Sequence, residues 1–218
     1  MDDQSQMEAA AYHEAGHAVI AWRHRRFVGE RGLSIESGGF GHAHVRRIVL
    51  PGEGDASKAS GDERIWKAYC LRVTAHVEVY QAGRLAEHLH HGEGAGRYTA
   101  NSVKDAIYGS ESYGLVDKLN DNEEVDDLDS VLDALIEVRR VETGHYRLSD
   151  ADREWIVREF LRIQKRLVLI LRRQRTWRAI ESVAKPLLER HRLGWEEVDS
   201  ILEAAHPPQV SIVALDSL

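Results

Sequence analysis

Residues 13–17 read His-Glu-Ala-Gly-His, inside an alanine-rich stretch from Gln6 to Arg26 that only Gly16 interrupts. This pattern constrains the chain more than any other. The stretch predicts a helix, and positions i and i+4 of a helix share one face, so both imidazoles can reach one ion. Tyr12, Ala15, Val19 and Trp22 recur at helical spacing and predict its buried stripe. Zinc suits imidazole ligands, and a catalytic zinc takes three protein ligands with one position left open. Glu14 then stands where a carboxylate accepts the proton of a water attacking a carbonyl.

Gly29 and Gly32 end this helix. Leu33-Ser34-Ile35 and His42-Ala43-His44-Val45, separated by Gly38, Gly39 and Gly41, predict two short strands. The Gly/Ser/Asp-rich stretch from Pro51 to Gly61 predicts a loop. A long helix is expected from Arg64 to His90, closed by Gly92 and Gly94, and another from about Asn101-Ser102, whose side chains can cap exposed amides. Eight carboxylates between Asp117 and Asp133 face one lysine. They lack the glycine and terminal glutamate of an EF-hand loop and read as a solvated charge run leading into a helix at Leu128. Ser149 is an expected N-cap for a helix to about Arg175, followed by helices from Thr176 to His191 and from Trp195 to Ala205. Arg158, Arg162, Lys165, Arg166, Arg172, Arg173, Arg175 and Arg178 make this last region basic, either pairing with the acidic run or forming a wet helix face.

Composition narrows the function classes. Of 218 residues 43% are apolar and 30% charged, which predicts a soluble globular chain with a real core. The formal charge of −7 argues against nucleic acid as a partner, because phosphate binding needs a positive footprint. One cysteine, Cys70, excludes an intrachain disulfide and points to a reducing compartment, the cytoplasm. Cys70 itself lies in an apolar helical stretch and reads as a buried small hydrophobe. The acidic start, Met1-Asp2-Asp3-Gln4, does not read as a signal peptide. The longest aliphatic run, Leu167 to Leu171, is far too short for a membrane span.

The residues around the pentapeptide, Ala11-Tyr12-His13-Glu14-Ala15-Gly16-His17-Ala18-Val19, resemble the active-site helix of the FtsH-type zinc metalloproteases. The likeness continues in order. Leu33-Ser34-Ile35, Gly41 and Leu50-Pro51 are similar to the pair of strands after that helix, and Ala82-Gly83-Arg84-Leu85-Ala86-Glu87 to the family's Gly-Arg-Ala-Ala-Glu segment. Val183-Ala184-Lys185-Pro186-Leu187-Leu188-Glu189-Arg190 and Leu193-Gly194-Trp195-Glu196-Glu197-Val198 are similar to its C-terminal helices. The resemblance implies a mainly α-helical peptidase domain over residues 1–205, with a small β-sheet beside the H-E-x-x-H helix and a C-terminal helical bundle. Within it fall an active-site helix and sheet (6–61), central helices (62–148) and C-terminal helices (149–205), followed by a tail (206–218).

The family draws its third zinc ligand from a downstream Asp in a Thr-Gly-Ala-x-x-Asp type of segment. The counterpart here is Asp105, in Thr99-Ala100-Asn101-Ser102-Val103-Lys104-Asp105, with the glycine missing and one residue inserted. Glu87 is the rival, either as ligand or as an acceptor that orients a ligating histidine. His42 and His44 share a strand face, and His88, His90 and His91 sit at a helix end where cationic imidazole suits the dipole. Neither group comes with a carboxylate at a diagnostic spacing. The resemblance instead gives the strand with His42 the role of aligning a substrate peptide through main-chain hydrogen bonds.

Two readings follow. In the first, His13, His17 and Asp105 hold Zn2+ and Glu14 is the general base of an endopeptidase for unfolded or flexible polypeptide. The chain has no G-x-x-x-x-G-K-[ST] phosphate loop, so the resemblance covers the peptidase domain alone. It implies a separate ATPase as unfoldase in trans and, by analogy, six-fold homo-oligomers. In the second reading the same scaffold is a non-catalytic metal-binding interaction or regulatory module.

Overall fold

The alanine-rich segment folds as helix α1, Asp3–Arg23. From Ala9 to Ala21 every residue except His13 is buried. The expected single stripe is therefore too narrow, and Trp22 at its edge is only half-buried. Small side chains at most positions let neighbours approach α1 from several sides at once, and such a helix is buried all round. One such close approach is to α2, Glu63–His91, at Gly16. A Cβ there would lie 2.6 Å from the Ala82 carbonyl oxygen and 2.8 Å from the Ala86 Cβ.

The computed structural model describes residues 3–24, 28–45, 61–91, 97–112, 127–145 and 147–205. The expected loop from Pro51, the glycines Gly92 and Gly94, the acidic run before Asp127 and the 206–218 tail lie outside them. Beside α1 stands an antiparallel hairpin, β1 (Val28–Glu36) and β2 (Phe40–Val45), with Ser34 opposite His42 and Ile35 opposite Gly41. Gly38 and Gly39 turn it at φ 92° and 81°, a left-handed backbone that glycine adopts without steric cost. The Gly38 N–H donates to Asp3 Oδ1 at 2.9 Å and ties the turn to the start of α1. Leu33 and Ile35 are buried in the core that α1 shares. A two-residue strand, β3 (Arg192–Leu193), pairs with the other side of β1, giving the order β2-β1-β3 and leaving β2 at an edge among the described residues.

The remaining helices are α3 (Ala100–Ser112), α4 (Asp127–Thr143), α5 (Asp150–Leu171), α6 (Gln174–Arg190) and α7 (Trp195–Ala205). The fold is thus mainly α-helical with a small three-stranded antiparallel sheet, as expected. Ser149 caps α5 as its position predicts: its Oγ accepts from the Asp152 N–H at 3.3 Å, and Asp152 Oδ2 accepts from the Ser149 N–H at 2.9 Å. That helix stops at Leu171 rather than Arg175, because Arg173 turns to extended backbone and starts α6. No described helix is long and apolar enough to cross a membrane.

Buried apolar residues form two clusters. One joins α1, the sheet, α6 and α7; the other joins α3 and α4. The long helices α2 and α5 run through both, so α2 contributes Tyr69, Val73 and Val77 to the second cluster and Val79, Ala82, Leu85 and Ala86 to the first. The two histidines of α1 face the middle of α2, where these two cores meet.

Candidate metal centre

His13 and His17 come from adjacent turns of α1, as the i, i+4 spacing requires, with ring centroids 4.8 Å apart. The third group is Asp127, the first residue of α4. Its Oδ2 lies 3.2 Å from His13 Nε2 and 3.0 Å from His17 Nε2, and all three ligand atoms lie within 4.8 Å of one another. Two ligands of a tetrahedral zinc stand roughly 3.3 Å apart, so both carboxylate distances fit a shared ion.

Around these atoms α2 packs closely. Gly83 of α2 faces both imidazoles, and a Cβ at Gly83 would stand 2.3 Å from His17 Nε2 and 2.6 Å from His13 Nε2. Those distances are far inside van der Waals contact, so only glycine at this position lets α2 pack against the two imidazoles. The other ring nitrogens are already used. His17 Nδ1 donates to the Val79 carbonyl oxygen at 2.8 Å, which fixes the ring orientation and aims Nε2 at Asp127. His13 Nδ1 lies 3.1 Å from Glu87 Oε2. Glu87 therefore takes the orienting position behind a histidine, and the three-residue group excludes it.

Glu14 is 4% exposed and packs under the β2 edge, where a Cβ on Gly41 would lie 2.6 Å from its Oε1. Burial pushes the Glu14 carboxyl up, against the lowering influence of His17 and His13. Burial opposes charge on His13, but hydrogen bonds to Asp127 and Glu87 outweigh it and lift this imidazole to about 10. His17 is raised too, with Asp127 overcoming its burial. Asp127 is lowered, because His17 and His13 outweigh its own burial. Without an ion, protons on the imidazoles balance the carboxylates, and a dication would displace those protons. The donor set of two imidazoles and one carboxylate suits zinc.

Asp105 lies elsewhere. Val103 and Ile107 of α3 occupy the second apolar cluster, which leaves Asp105 on the exposed side of that helix, outside the histidine group. The carboxylate that the fold groups with His13 and His17 is thus Asp127, from the acidic run, and not Asp105, the third ligand that the resemblance implies. The available signal was slight: Asp127 stands one helical turn before Val131, at the start of the apolar repeat of Val131, Leu132 and Leu135. The remaining histidines form no metal group among the described residues. His90 Nε2 lies 3.0 Å from Glu8 Oε1 and its ring stacks on Tyr12 at 3.5 Å. His42 is half-buried on β2, and the side chain of His44 lies outside the described residues. Cys70 is half-buried rather than buried. Comparison with models of known protein families finds no match, nor does comparison with curated proteins.

Proposed function

We propose that the protein is a zinc-dependent endopeptidase acting on unfolded or flexible polypeptide. The observation that carries this reading is the convergence of His13, His17 and Asp127 where Gly83 lets α2 pack against both imidazoles, with Glu14 beside them. His13, His17 and Asp127 would hold the ion. Bound zinc supplies a polarised scissile carbonyl and a more acidic attacking water. Glu14 takes the proton of that water and passes it to the departing amine. Its burial suits the task, since a carboxyl raised above its usual range is a better base near neutral pH. Glu87 and the Val79 carbonyl hold the two imidazoles in orientation.

The edge strand β2 supports a polypeptide substrate. It crosses directly over Glu14 at Gly41, and an extended peptide can add to such an edge by main-chain hydrogen bonds without reading side chains. Flexible segments reach the site unaided; folded substrates require a separate unfoldase, with six-fold assembly as the analogy suggests. The single cysteine favours the cytoplasm as the site of action. Glu14 weighs against the non-catalytic reading, because a purely structural ion has no use for a base. The test is Glu14→Gln: zinc content stays at the wild-type level and cleavage of an unfolded substrate falls by roughly 10²–10⁴-fold. An active Glu14→Gln variant would refute the mechanism.

A further inference from the structure

Two glutamines are buried where α2, α4 and α5 meet, and they differ. Gln164 of α5 is fully paired: its Oε1 accepts from the Tyr98 N–H at 3.2 Å and its Nε2 donates to the Tyr98 carbonyl at 3.1 Å. Gln81 of α2 is 2% exposed, and neither its Nε2 nor its Oε1 has a hydrogen-bond partner among the described residues. A buried amide orphaned at both ends is costly and points to a partner acquired in another state. Gln81 borders a narrow void with Tyr80, Tyr98, Leu128, Val131 and Phe160, and the one charged group on that void is Asp127 among the described residues. The void has no room for a water molecule, so a direct contact fits it better than a bridged one.

Gln81 also sits within the turn of α2 that serves the centre. Val79, two residues before it, accepts from His17 Nδ1, and Gly83, two residues after it, faces both imidazoles. Both described contacts of Asp127 fall on Oδ2. We infer that Gln81 is a positioning residue for the metal centre, its amide N–H donating to Oδ1 of Asp127 and holding that carboxylate in its ligating orientation. Partners behind a ligand commonly set metal affinity in this way. The inference rests on the reading of His13, His17 and Asp127 as a metal centre.

The test compares full-length wild type and Gln81→Leu, with Gln81→Met as a second variant of similar length. Zinc affinity is measured by competition with a chromophoric chelator, and melting is followed in metal-free and zinc-loaded protein. The expected result is a tenfold to hundredfold loss of zinc affinity in both variants, with metal-free melting points at or above wild type, because the orphaned amide is gone. Wild-type zinc affinity in the variants overturns the inference. So does a lower metal-free melting point in both, which would show the amide already paired within the fold. A wild type that binds no zinc overturns the metal centre itself, which keeps the two failures apart.

Discussion

Two carboxylates in this molecule, the buried Glu78 and the half-buried Asp127, are partnered differently. Glu78 of α2 is 1% exposed, and it meets His24 Nε2 at 2.7 Å and the Arg166 guanidinium through Nε at 2.8 Å and through Nη2. Burial pushes its carboxyl up, yet the bonds from His24 and Arg166 hold it below the usual range. A guanidinium is always charged and presents a fork that fits a carboxylate, so this cluster is complete with protein groups alone. It joins α2 to α5 and to the residue after α1. Asp127, by contrast, meets only imidazoles among its described partners, and those imidazoles must carry protons to balance it. Protons are replaceable and a guanidinium is not. The first cluster braces the fold, whereas the second has the donor set that could hold an exchangeable cation.

The sharpest way to break this contrast is to fill the space at Gly83. A Cβ there collides with both ligating nitrogens, so Gly83→Ala is expected to lose at least about a thousandfold in zinc affinity. By titration it should look like loss of a ligand. Its metal-free fold, judged by circular dichroism, should persist. Zinc binding at wild-type affinity in Gly83→Ala would place the ion elsewhere.

At the brace, Glu78→Gln removes the charge that pairs His24 and Arg166. The expected cost is about 2–4 kcal/mol in denaturant unfolding, toward the low end because Arg166 is half-exposed and can turn to water. That loss should be the same with and without zinc. At a hundredfold excess over Kd, zinc should stabilise wild type and Glu78→Gln alike by about 2.7 kcal/mol. A zinc increment abolished by Glu78→Gln would mean that the clusters act as one.

The smallest effect belongs to a third carboxylate with fixed partners. Asp152 accepts from Ser149 and from Arg139 Nε at 2.7 Å, and these bonds hold it down to about 2 from an ordinary 3.8. A depressed carboxyl stabilises the fold fully above its unfolded value, and the contribution fades as pH falls from about 4 toward 2. It is worth about 1–2 kcal/mol after screening. Asp152→Asn should flatten that part of the acid-unfolding curve, and an unchanged curve would show that the cap carries no such linkage.

Legibility in the sequence follows the range of each interaction. His13, Glu14 and His17 could be read directly, because four-residue spacing on a helix is a local property. So could the Ser149 cap, whose partner is three residues away. Asp127 could not: it meets His13 across 114 positions in the chain, and its seven acidic neighbours offer the same local chemistry. Asp105 seemed better from motif spacing, but the burial of Val103 and Ile107 turns it outward. Gly83 was visible only as part of a familiar segment. Its place against the two imidazoles depends on how closely α1 and α2 cross at Gly16, a distance no single helix encodes. Gln81 gave no signal at all, since a lone polar residue on an apolar helix is indistinguishable from one that finds a partner.

The most direct measurement is zinc per chain, with affinity, in purified wild type, Asp127→Ala and Asp105→Ala side by side. The proposed centre predicts about one zinc in wild type, a loss of a hundredfold or more in affinity for Asp127→Ala, and wild-type behaviour for Asp105→Ala. Zinc lost with Asp105 and kept without Asp127 would contradict the centre described above, and no zinc in any of the three would remove it.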